Sequence, residues 1–180
     1  MAYKMNPMRR LSSLRLDDCD YTQEGIYFVT ICIKDHKSFF GRIEEGKVIL
    51  NDVGKMAEKC WKEIPKHFPD TVLGTFVIMP NHIHGIICIQ THSNASVGNE
   101  KIRSLRPKWY GAKPRSLSSI IRGFKIGVTK WCRQNNHEYF AWQKSFYDHI
   151  VRNDKELEKI HEYIIFNPEK WELDTYFSPQ

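Results

Sequence analysis

An α+β sandwich with an antiparallel sheet is the fold class this sequence predicts, and three observations carry it. Short apolar runs rich in β-branched and aromatic residues alternate with stretches of helical periodicity. The runs at 71–79 and 82–90 are joined only by Pro80-Asn81, a link short enough for antiparallel neighbours and far too short for a parallel crossover. The chain has 180 residues with 41% hydrophobic content and no internal repeat, enough for one core, so residues 1–180 are expected to form a single domain.

The elements follow in order. After a basic leader, 1–24, residues 25–34 (Gly-Ile-Tyr-Phe-Val-Thr-Ile-Cys-Ile-Lys) read as a buried strand. Residues 39–43 and 47–50, around Glu44-Glu45-Gly46, predict a small hairpin. Asn51 is an N-cap for a helix in which Val53, Met56, Ala57, Cys60, Trp61 and Ile64 recur at helical spacing until Pro65 and Pro69 end the pattern. Strands at 71–79 and 82–90 come next, then a polar basic loop at 91–114 whose Ser, Asn, Gly and Pro content predicts mobility. Ser116 opens a second helix with Leu117, Ile120, Ile121, Phe124, Val128 and Trp131 on one face. Residues 139–151 read as a last strand with its turn. Asn153 or Asp154 caps a third helix that ends before Pro168. Strand, helix, strand, strand, helix, strand and a terminal helix is the alternation of a ferredoxin-like sandwich, with helices on one or both faces.

Charge is distributed unevenly. The whole chain carries a formal +6, yet residues 101–133 alone hold ten Lys and Arg and no Asp or Glu, leaving the remainder slightly acidic. Charge runs are commonly no more than solvated faces, but a stretch this long without a carboxylate points to a polyanionic partner. Five scattered cysteines, an odd number with no C-x-x-C pair, argue against a disulfide framework and a cysteine zinc site. No apolar stretch approaches a membrane span and the N-terminus lacks a signal core, so a cytoplasmic protein with no membrane partner is expected.

The chemistry starts at Asn81-His82-Ile83-His84-Gly85. In a strand, positions i and i+2 share a face, so His82 and His84 present two imidazoles side by side while Ile83 enters the core. Two neutral imidazoles are half of a metal site; structural histidines on a half-buried strand are the plain alternative. A histidine-triad hydrolase needs another His in register, and position 86 is Ile. On the third helix Tyr163 and Asn167 are four apart, one turn from each other, so a phenol and an amide oxygen can face the histidines together. The competing reading puts Tyr163 in the apolar stripe of Leu157, Ile160 and Ile164. A phenol, with a pKa of about 10, attacks a phosphodiester only when a cation polarises the phosphate.

Taken together, Met79-Pro80-Asn81-His82-Ile83-His84-Gly85, Trp142-Gln143, Tyr147 through Asn153, and Tyr163-Ile164-x-x-Asn167-Pro168 resemble the single-tyrosine HUH transposases. The likeness is to the branch associated with REP elements, and Arg9-Arg10 through Tyr27-Phe28-Val29-Thr30 extends it over nearly the whole chain. It implies a ferredoxin-like domain with the HUH motif on a central strand, cutting and rejoining single-stranded DNA beside small hairpins with Mg or Mn. His82 and His84 match the two HUH histidines, Tyr163 matches the nucleophile on the C-terminal helix, and Asn167 matches the third polar ligand. Related enzymes often carry the longer Gln at that last position. A monomer and a homodimer both occur in such enzymes.

The resulting expectation is a DNA transesterase, serving transposition or repeat processing, that forms a 5′-phosphotyrosine and a free 3′-hydroxyl. Arg9, Arg10 and Arg15 of the leader, Arg103, Arg106, Lys108, Lys113, Arg115, Arg122 and Lys125 of the basic block, and Arg152 are expected on the DNA backbone. Trp109 and Tyr110 could stack on unpaired bases or fold back onto the domain. Tyr147 is a rival nucleophile in the strand region, while Asp148 and His149 receive no chemical role. Histidine ligation implies activity that weakens as pH falls through the ordinary imidazole range, about 6.5. A non-catalytic DNA- or RNA-binding regulatory module and a metal nuclease using water are the alternative functions.

Overall fold

The computed structural model describes residues 25–90 and 116–177. In chain order the elements are β1 (Gly25–Cys32), a single 3-10 turn (Lys34–His36), β2 (Gly41–Glu44), β3 (Lys47–Leu50), α1 (Asp52–Lys62), α2 (Ile64–His67), β4 (Thr71–Ile78), β5 (His82–Ile89), α3 (Leu117–Gln134), β6 (Tyr147–Val151), α4 (Asp154–Phe166) and a closing 3-10 helix (Pro168–Leu173). Four strands form one sheet in the order β4-β5-β1-β6, every neighbour antiparallel. Counted within that sheet the order is 2-3-1-4, the ferredoxin-like arrangement. β2 and β3 form a separate hairpin, turned by Glu45 and Gly46 at positive φ.

The pleat sorts each strand between two faces. Ile83, Ile87 and Ile89 of β5, with Tyr27, Val29 and Ile31 of β1, join the core cluster under α1 and α3, where Trp61, Phe124 and Val128 are buried. Gly85 belongs to this face because a Cβ there would sit 2.3 Å from the Trp61 ring; only glycine admits the indole. His82, His84 and Ile86 take the opposite face, with Phe28, Thr30 and Val151. There α4 contributes Ile164 to a second, smaller cluster. Helices therefore cover both faces.

The caps follow the sequence. Asn51, Ser116 and Asn153 each accept a backbone N–H at the start of α1, α3 and α4. α1 ends at Lys62, and Pro65, expected to stop the helical pattern, instead sits in the first turn of a further short helix, α2, which ends before Pro69. Two further expectations are corrected. The first strand stops at Cys32, because Asp35 and His36 adopt positive φ and turn the chain away. The final strand covers only Tyr147–Val151, not 139–151. Upstream of it, Trp142 makes an isolated bridge to Ile33, and the carbonyls of Gln143 and Ser145 accept from the Lys125 ammonium at 2.8 and 3.0 Å. A side chain thus satisfies backbone groups that a ladder would otherwise have paired.

Candidate active site

β5 carries both imidazoles, and its pairing supplies their partners. Thr30 is directly opposite His84 in the β1–β5 register, and its Oγ1 lies 2.9 Å from His84 Nδ1. Asn81, just before β5, places its Oδ1 2.8 Å from His82 Nδ1. With each Nδ1 occupied, the two Nε2 atoms converge to 3.0 Å, and both rings are fully buried. Metal-ligating histidines are held by a second partner in this way.

The helix α4 brings Tyr163 to the same point. Its hydroxyl is 3.2 Å from His84 Nε2, and its ring meets Phe28 edge-on. Tyr163 is nevertheless 39% exposed. Tyr147, the rival phenol, packs edge-on against Phe28 from β6.

Sequence reasoning missed Asp174. The closing 3-10 helix turns the chain back after α4, and the ligand atoms of His82, His84 and Asp174 all lie within 4.8 Å of one another. Asn167 is buried at the end of α4 and donates its amide N–H to Asp174 Oδ2 at 2.8 Å. Its Oδ1 is buried with no hydrogen-bond partner among the described residues. The Tyr176 N–H donates to Asp174 Oδ1 at 2.6 Å, and the Tyr176 ring packs 4.8 Å from that of His82. The available signal was a carboxylate set among Trp171, Tyr176 and Phe177, aromatic company that predicts a packed tail.

The electrostatics suit a cation. Burial, reinforced by His36, pushes the His82 imidazole down to about 3. Burial and His82 lower His84 as well, against an opposing pull from Asp174. Both rings are thus held neutral, with pKa values well below the ordinary imidazole range of about 6.5. Burial, then the Asp174 charge and Tyr176, raises the Tyr163 phenol, while the Asn167 side chain acts the other way. Two imidazole nitrogens and a carboxylate are a donor set suited to a divalent ion, and Asn167 holds that carboxylate through its amide N–H.

Of the basic residues proposed for DNA, Arg122 and Arg152 are exposed. Lys125 is turned inward onto two carbonyls, and burial lowers its pKa to about 8. Arg9, Arg10, Arg15, Arg103, Arg106, Lys108, Trp109, Tyr110, Lys113 and Arg115 lie outside the described residues. His149 accepts no catalytic geometry here: its Nε2 is 2.7 Å from Glu156 Oε1, tying β6 to the first turn of α4. Among the described residues no helix is long and apolar enough to cross a membrane.

Comparison with known proteins places this geometry in context. No family model matches the chain. Over 167 residues, 92% of each chain, it is 40% identical to a protein of uncharacterized function from Haemophilus influenzae. It is also 30% identical over 152 residues to a protein of that organism named as a REP-associated tyrosine transposase, covering 84% of this chain and 74% of the relative. A solved structure of a REP-associated tyrosine transposase bound to a REP hairpin is similar in fold, with a TM-score of 0.58 and 20% identity over 89% of this chain and 74% of that one.

Proposed function

Because the chain belongs to the REP-associated tyrosine transposase family, we propose that it cuts and rejoins single-stranded DNA, with Tyr163 attacking a phosphodiester. The Tyr163 oxygen bonds to phosphorus, the 3′-oxygen leaves and takes up a proton, and a 5′-phosphotyrosine remains. A 3′-hydroxyl of another strand can reverse the attack, which conserves the bond energy that hydrolysis would lose. The observation that carries the reading is the meeting of one phenol, two imidazole nitrogens and a carboxylate from three separate parts of the chain.

His82, His84 and Asp174 would hold a divalent ion, Mg or Mn, with Asn167 orienting the carboxylate and offering its free oxygen. An ion bound there would polarise the scissile phosphate and favour the phenolate. Tyr163 needs that help, since burial and Asp174 hold its proton on. His84 Nε2, which faces the Tyr163 hydroxyl at 3.2 Å, would be the atom through which His84 holds the ion, leaving the hydroxyl available to substrate. Asn81 and Thr30 keep the imidazoles fixed while this happens.

The substrate is a single strand beside a hairpin, by analogy with the hairpin held by the solved relative. Its phosphates would lie along the 101–133 block, together with Arg122, Arg152 and the leader arginines. Incubation with labelled hairpin DNA followed by denaturing electrophoresis tests the reading. The wild type should give a covalent protein–DNA band, and Tyr163→Phe should abolish it while binding persists. An undiminished band in that variant overturns the assignment, and cleavage without a band indicates attack by water instead.

A further inference from the structure

We infer that Asn81 is a positioning residue whose single amide sets the tautomer of His82 and docks the C-terminal segment that brings Asp174 to the site. The inference rests on the metal reading above and adds to it the coupling of two of its ligands through one side chain.

Asn81 is fully buried at the β4–β5 turn. Its Nδ2 lies 3.0 Å from the carbonyl oxygen of His36 and 2.8 Å from that of Tyr176. A carbonyl only accepts, so both amide protons are committed and the nitrogen end of the side chain is identified. The oxygen end therefore faces His82 Nδ1, at 2.8 Å. An amide oxygen also only accepts, so His82 Nδ1 must carry the proton. Its Nε2 then presents a lone pair to His84 and Asp174. The tautomer of a histidine on β5 is thus decided by two carbonyls that lie 45 and 95 residues from Asn81 in sequence.

The second role runs through Tyr176. Asn81 holds its carbonyl, while its N–H reaches Asp174 Oδ1 at 2.6 Å. The loop after β1 completes the clamp: the Asn81 carbonyl accepts from Ile33 N–H, and the His36 ring stacks on Tyr176 at 5.6 Å. Asp35 and His36 hold this loop at φ of 57° and 51°. Left-handed conformations of this kind persist at residues other than glycine where the surroundings enforce them.

Affinity for MnCl2, measured on the full chain by electron paramagnetic resonance, separates the two roles when combined with hydrogen exchange of residues 168–177. Asn81→Ala removes both and should weaken Mn binding about 10- to 100-fold while exchange in the segment accelerates. Asn81→Asp keeps an acceptor for His82 but sets carboxylate oxygen against two carbonyls, so the segment should be released. Its Mn affinity should fall only as far as that of Asp174→Ala. Exchange of β5 verifies that each variant is folded. His82→Ala is the control: if it binds Mn like the wild type, the metal reading itself fails. If His82→Ala loses Mn while Asn81→Ala does not, the Asn81 inference alone is overturned. It is equally overturned if Asn81→Asp binds as weakly as Asn81→Ala, or keeps the segment protected.

Discussion

The two faces of the central sheet are made by the same strands and do opposite work. Under α1 and α3, alternate residues of β1 and β5 meet Trp61, Ile120, Phe124 and Val128 in a continuous apolar core. Under α4, the intervening residues are Thr30, His82 and His84 beside only a small apolar cluster, with every imidazole nitrogen in a polar contact. One face supplies the rigidity that the other needs, because a strand locked on its apolar side cannot reorient the side chains on its polar side. A reactive centre built this way has fixed histidines and a tyrosine on a separately packed helix.

Breaking the apolar face should have the largest effect. Trp61→Ala empties the position against which Gly85 packs, and thermal or urea unfolding should show a loss of about 3 to 5 kcal/mol. The metal affinity of the fraction still folded should be unchanged; if it falls in step with stability, the two faces are not separable.

The polar face should instead respond to pH. His82 has a folded pKa depressed to about 3, so the unfolded chain binds its proton first as the medium is acidified. Metal-free stability is therefore complete above about 6.5 and falls as pH drops below it, by up to about 1.4 kcal/mol per pH unit for His82 alone. His84 adds to the same direction. Urea midpoints compared at pH 7.5 and 5 measure this, and a level profile would contradict neutral, buried imidazoles. His82→Leu should flatten the slope.

The smallest effect sharpens the comparison at the tyrosine helix. Asn153 caps α4 by accepting the Glu156 N–H, and Asn153→Ala should cost about 1 kcal/mol. Covalent adduct yield should drop further than metal affinity, because the helix carries the phenol and the histidines lie on β5. Equal losses in both would mean that α4 and β5 act as one body.

Much of this centre was legible in residue order. Alternation placed His82 and His84 on one face, and helical spacing placed Tyr163 and Asn167 one turn apart, because pleat and helix geometry tie side-chain direction to sequence interval. Caps at Asn51, Ser116 and Asn153 were legible for the same local reason. The strand expected over 139–151 is shortened to Tyr147–Val151: upstream, the Gln143 N–H still reaches the Cys32 carbonyl of β1, but the Gln143 and Ser145 carbonyls accept from the Lys125 side chain instead of from a strand.

By itself, then, the sequence determined the order of elements, the face on which each reactive side chain stands, and the family to which the motifs point. Only the tertiary structure decided that Asp174 joins the two histidines, that Asn167 reaches that carboxylate through its amide nitrogen, and that Asn81 links loop, strand and tail. The physical reason is range. Periodicity fixes directions within an element, whereas the return of the chain after Pro168 is set by packing and hydrogen bonds between residues far apart in sequence, which no local spacing encodes.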